Sequence, residues 1–203
     1  MSELGTGLYA GLLVGVPFGP VGALALRYAI KGAFPQVCAL AVGTVLAEAA
    51  VAIIVAVILA QPWPSGLTYH PAMSFAFAAF LTVVGTKMVL RPLGNSSGSP
   101  GSVALGVSQG AGITLVNPGV AAGYFSILLG SRTATWSATG LASLAAGVIA
   151  TSGAWWLALV PFLRRMIRIG KPDWTLVLVR GIGVVFVLGG IVVAVRTALG
   201  YAS

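Results

Sequence analysis

The chain has 203 residues, 58% of them hydrophobic and 7% charged, with eleven Lys and Arg against three Asp and Glu and a formal charge of +8. A soluble domain usually carries about 25% charged residues, so with a mean hydropathy of +1.03 this composition excludes an ordinary soluble surface. The basic residues stand singly or in small groups at the ends of apolar runs, which encodes membrane topology rather than nucleic-acid binding.

Six apolar runs are long enough to cross roughly 30 Å of hydrocarbon, which takes about 20 helical residues. They are Leu4–Tyr28, Ala33–Ala60, Pro71–Leu90, Val103–Leu129, Thr135–Leu163 and Trp174–Val195. The first begins with Glu3 in place of a basic segment and outruns a signal-peptide core, so it reads as a helix that stays in the membrane. Length leaves room for one transmembrane domain over 1–203 and none for a soluble module beside it.

The runs are too long and too uniformly apolar for the alternating strands of a barrel, so helix is the expected spanning structure. Between the second and third runs stand Pro62, Pro64 and Gly66, with His70. Residues 92–102 form a Gly/Ser/Pro linker, the most flexible segment by composition. Trp63, Trp136, Trp155, Trp156 and Trp174 fall near run ends, as an aromatic belt would. Cys38, the sole cysteine, reads as a small packed side chain.

Arg27, Lys31, Lys87, Arg91, Arg164, Arg165, Arg168, Lys171 and Arg180 mark one side of the membrane. Only Arg132 and Arg196 mark the other. The bias puts the first, third and fifth breaks in the cytoplasm and both termini outside. The expected fold is therefore an all-α membrane protein with six transmembrane helices. Its halves, 1–91 and 103–203, start from opposite sides and can form two inverted three-helix repeats.

Proline punctuates the first helix of each half, as Val16-Pro17-Phe18-Gly19-Pro20-Val21 and as Leu115-Val116-Asn117-Pro118-Gly119-Val120. Each proline lacks an N–H and clashes with the carbonyl one turn back, so a kink or an unwound segment is expected. Interrupted helices at matching places in two halves point to a transporter's binding site. That makes Pro17, Gly19, Pro20, Asn117 and Pro118 candidate substrate-site residues, although Pro and Gly are also common in membrane helices at large. Asn117 can bind substrate or satisfy a carbonyl freed by the proline.

Glu48 lies near the centre of the second run. A carboxylate there costs several kcal/mol unless it faces protein or water, so it marks a functional site. Two roles stand open, proton coupling and a structural carboxyl that ties the bundle. Thr44 and Gln109 join the substrate-site candidates. Thr114, Ser126, Thr151, Ser152 and Tyr9 are weaker ones, because Ser and Thr often bond within their own helix. Gly7, Gly11, Gly15 and Gly19 recur every four residues, a stripe that lets another helix approach closely, within one chain or across a homodimer.

Several chemistries have no carriers. One histidine and one cysteine exclude a His- or Cys-based metal site. No nucleotide-binding, zincin or nucleophile-elbow motif is present. Neither an enzyme nor a cofactor is expected.

These residues together resemble the LysE/RhtB superfamily of bacterial amino-acid exporters, the LysE-type translocators, over nearly the whole length. The resemblance rests on Pro17-Phe18-Gly19-Pro20, on Arg27 to Gly32, on Gly43 to Glu48, on Gln109-Gly110 with Asn117-Pro118, and on Arg180-Gly181. It implies a multi-pass protein of the bacterial inner membrane that exports amino acids or similar small amphiphilic solutes by proton antiport. It carries Pro17, Pro20, Glu48, Asn117 and Pro118 over as functional positions. Phe18 lengthens the first proline element, Glu48 stands where Asp is commoner, and Gly119 stands where a lysine is common. An uncoupled channel or facilitator, and an accessory structural subunit, are the alternatives.

Overall fold

A computed structural model describes residues 2–16, 19–61, 102–130, 136–169 and 172–201, together with isolated helical positions between 75 and 90. Pro17, most of the third apolar run and nearly all of the 92–102 linker lie outside the described residues. Every described element is a helix. They are α1 (Glu3–Val14), α2 (Pro20–Ile30), α3 (Phe34–Leu59), α4 (Val103–Leu115), α5 (Pro118–Gly130), α6 (Ala138–Ile169) and α7 (Pro172–Tyr201).

Local chemistry sets their ends. Ser2, Ser102 and Ser137 accept from the backbone N–H groups of Gly5, Leu105 and Gly140, so α1, α4 and α6 each start on a serine cap. Pro20 occupies the first turn of α2, where its missing N–H has no partner to lose. The α2–α3 turn closes by two bonds, Gly32 N to Ala29 O and Ala33 N to Tyr28 O, both 2.9 Å. Gly32 sits there at φ 72°, the left-handed position of this helix-ending motif. A Cβ on Gly32 would meet nothing within 4 Å, so backbone conformation, not space, calls for glycine.

Two described helices are long and apolar enough to cross a membrane: α3, of 26 residues, and α6, of 32 residues, in which stretches of 18 residues reach mean hydropathies of 2.6 and 1.6. Val103–Leu115 and Pro118–Leu128, bent by 57°, make a third if counted as one broken span. The first apolar run is likewise two helices, α1 and α2, separated by residues 15–19. Apolar side chains cover the outside of these helices, among them Leu12, Leu13, Val42, Leu46, Ile54 and Val57, as in a protein that meets lipid. The all-helical fold is thus compatible with membrane association.

The chain divides into two compact units, residues 1–62 with 98–170 and residues 63–97 with 171–203. In the second, Gly190 of α7 lies against the Ala78 carbonyl and the Thr82 hydroxyl. Thr82 in turn donates to Ala78 O at 2.8 Å.

The first unit is built on two glycine seams. Gly7 of α1 lies against Leu144 of α6, Gly11 against Val148 and Thr151, and Gly15 against Ser152. Gly106 of α4 lies against Gln36 and Ala39 of α3, and Gly110 against Leu40 and Thr44. Contacts climb both helices of each pair together, so α1 runs parallel to α6 and α4 parallel to α3. At Gly7, Gly43 and Gly110 a Cβ would collide with the carbonyl oxygen of Leu144, Val107 and Leu40, respectively. Backbone therefore meets backbone, and the stripe at Gly7, Gly11 and Gly15 packs within the chain. A cluster of Ala10, Val51, Ala52, Val55, Tyr124, Leu128, Leu144 and Val148 fills the space between the seams.

Two sequence expectations need correction. Cys38 is exposed, not packed, on the α3 stripe with Val42 and Leu46. Trp155 and Trp156 stand at the middle of α6, not near an end, because the helix continues through Arg164, Arg165 and Arg168 to Ile169. Trp156 is 3% exposed and belongs to the core.

Candidate functional site

The site forms where the first helix break meets α3 and α6. Glu48 is 4% exposed on α3, and the Ser152 hydroxyl of α6 donates to its Oε2 at 2.5 Å. Ser152 itself is fully buried. Gly15, the residue that ends α1, completes the contact, since a Cβ there would stand 2.9 Å from Ser152 Cβ and 3.1 Å from Glu48 Oε2. A side chain at position 15 would therefore press on the carboxylate. The helix break and the buried carboxyl occupy one place.

The second break is organised differently. Asn117 Oδ1 accepts from Gly119 N at 2.9 Å, and Asn117 O accepts from Val120 N at 3.1 Å. The asparagine thus caps α5, and Pro118 is that helix's first residue. Of the two roles open to Asn117, the structure displays backbone satisfaction.

The remaining candidates fall into distinct places. Thr44 is buried one turn before Glu48, and its hydroxyl donates to Leu40 O at 2.8 Å within its own helix. Gln109 accepts from the Tyr28 hydroxyl at 2.5 Å, which ties α4 to α2. Gly19 precedes Pro20 at the start of α2. Glu48, Gly15 and Ser152 are brought together, whereas Gln109 and Asn117 serve other contacts. Thr151 and Ser126 donate to Gly147 O and Ala122 O in their own helices.

Sequence reasoning missed Tyr124. It lies in α5, is fully buried, and packs in one cluster with Ala49 and Ala52, which follow Glu48 on α3. No hydrogen-bond partner meets that hydroxyl, nor the Thr114 hydroxyl, nor the Trp156 indole N–H. A buried donor left unpaired costs about 1–3 kcal/mol, and native proteins carry few. No sequence signal separates Tyr124 from any other aromatic in an apolar run.

Comparison with known proteins adds no relative. No family model matches the chain, and neither the curated proteins nor the solved structures yield a match. The chemistry of the site therefore has to be read from its own residues: a carboxyl that can exchange a proton, a hydroxyl bound to it, and a helix end packed against both.

Proposed function

We propose that this chain is a secondary active exporter of amino acids or related small metabolites, coupled to proton movement through Glu48. The observation that carries the reading is the contact of Glu48 with Ser152 beside Gly15, at the end of α1. A buried ionisable group beside an interrupted helix is the arrangement by which secondary transporters join ion and solute sites. The resemblance to LysE-type translocators leads to the same class.

Six spans in two inverted repeats are the proposed architecture. The parallel course of α3 and α4 suits two halves that enter from opposite sides, with the third apolar run between them in sequence. The glycine seams are reciprocal: the first helix of each half packs on the long helix of the other. Gly43 and Gly147 are 104 residues apart and each packs on the first helix of the other half, and Glu48 and Ser152, at the same separation, meet each other. The Arg164 guanidinium stacks over the Phe34 ring at 4.8 Å, which gathers the basic end of α6 with the start of α3. That gathering suits a cytoplasmic face in a bacterial inner membrane.

In this mechanism Glu48 takes a proton in the outward-open state and releases it inward, while solute leaves in the opposite direction. Efflux from proteoliposomes holding the purified chain and a labelled amino-acid mixture, with and without an imposed pH gradient, tests it. Efflux accelerated by inward proton movement supports the antiporter. Flux that follows the solute gradient alone makes the chain a facilitator, and a stable complex with no flux makes it an accessory subunit.

A further inference from the structure

We propose that Trp155 is a positioning residue: its indole N–H holds the end of α1 on α6 and so keeps Gly15 against the Glu48–Ser152 contact. The inference rests on reading Glu48 as the coupling carboxyl, and it goes further by naming what fixes the helix end beside that carboxyl.

The need for a tether follows from where α1 stops. The last four carbonyls of a helix have no partner within it. In α1 one of them, Gly11 O, is taken by Gly15 N at 3.0 Å. Val16 N to Leu12 O would come next, but α1 ends at Val14 and no such bond forms. Pro17 has no N–H to offer Leu13 O. In hydrocarbon no water stands in, so each such carbonyl needs a partner from the protein.

Trp155 supplies one. Its Nε1, a group that can only donate, donates to Leu12 O at 3.0 Å across 143 residues of sequence. Long side chains on a helix lean toward its N-terminus, so from α6, parallel to α1, the indole reaches back to the last turn of α1. A crevice of about 230 Å³, lined by Leu12, Thr151, Ala154 and Trp155, opens beside the ring. With open space on that side, the hydrogen bond more than packing fixes the indole.

The path from tether to carboxyl is short. Leu12 stands three residues before Gly15, and Trp155 three after Ser152. Gly15 is the residue that lies against both Ser152 and Glu48. The end of α1 is thus gripped by α6 at two points, one of which touches the carboxyl. Because Gly15 N makes the last backbone bond of α1, its amide reports directly whether that end is held.

Trp155→Phe removes the donor and keeps a ring, and Trp155→Gln restores a neutral donor. Amide hydrogen exchange of the detergent-purified chain, read over residues 11–16, measures the tether without transport. Exchange at Gly15 is expected to quicken on the order of tenfold in the phenylalanine variant and to return toward wild type in the glutamine variant. Proteoliposome efflux measures the consequence, as the ratio of flux with a pH gradient to flux without one. A variant that is merely less stable lowers both fluxes together. Loss of positioning is expected to lower the ratio about fivefold and to leave KM unchanged, because Trp155 has no part in holding solute.

Exchange at Gly15 that is unchanged or slower in the phenylalanine variant would overturn the proposal. So would faster exchange that the glutamine variant fails to restore. Exchange that follows the donor, with no flux in the wild type, keeps the tether and removes the exporter. Coupled flux whose ratio neither variant changes keeps the exporter and overturns the positioning role of Trp155.

Discussion

The hydroxyl of Ser152 donates to Oε2 of Glu48 at 2.5 Å and joins α6 to α3 across 104 residues of sequence. Neither group has water as an alternative partner, because Ser152 is fully buried and Glu48 nearly so. Ser152→Ala is therefore expected to lower stability by about 1–3 kcal/mol, the cost of stripping a partner from a buried group. In a Glu48→Gln background the same substitution is expected to cost less. A double-mutant cycle by thermal unfolding measures the difference, and strictly additive costs would deny the coupling.

Glu48→Gln keeps the shape of the side chain and an oxygen that can accept from Ser152, but it removes the exchangeable proton. The variant is expected to fold and to lose the acceleration of efflux by a pH gradient in proteoliposomes. Full coupling in this variant would sink the proposed role of Glu48.

Glycine substitutions are expected to divide by location. Gly43→Ala and Gly7→Ala drive a methyl group into the carbonyls of Val107 and Leu144. Such overpacking costs typically about 1–3 kcal/mol. Gly112→Ala and Gly153→Ala meet nothing within 4 Å and lie inside α4 and α6. There alanine is expected to be neutral or to stabilise by about 0.5–1 kcal/mol through helix propensity. Melting temperatures of the four variants check the contrast.

Orientation can be read from the serine caps. In a Cys38→Ala background, Ser2→Cys is expected to react with an impermeant maleimide added outside intact cells. Ser102→Cys is expected to react only after permeabilisation, because in the proposed architecture the first helices of the two halves start on opposite sides. Labelling of both from one side would remove the inverted architecture.

Asn117→Ala deletes the side chain that caps α5 and is expected to cost about 1 kcal/mol. Asn117→Asp keeps the acceptor for Gly119 N, so it is expected to retain stability and the KM of efflux. A raised KM in the aspartate variant, with stability intact, would instead place Asn117 in direct contact with solute.

The helix breaks and Glu48 were legible in the sequence because each violates a local rule: proline inside a helix, charge inside an apolar run. Such violations need no tertiary knowledge to be noticed. Ser152 stood only among weaker candidates, since what distinguishes it is a partner on another helix. Tyr124 and Trp156 carry no local anomaly at all. Their unpaired polar atoms become visible only when the surrounding side chains are in place. Cys38 was misplaced for a related reason: α3 is apolar on every face, so periodicity does not tell its exposed stripe from its buried one. The capping role of Asn117 was one of two readings the Asn-Pro pair allowed, and a single hydrogen bond to Gly119 displays it.

The two glycine seams also decide where this molecule can give way. Along α1–α6 and α3–α4, main chain rests on main chain, and a slide of either helix past its mate would bring peptide groups into collision. Each couple therefore travels as one beam. Between the beams, α3 and α6 touch through side chains that can change rotamer, with Glu48 and Ser152 among them. A rocking of one beam against the other breaks that hydrogen bond and leaves both seams whole.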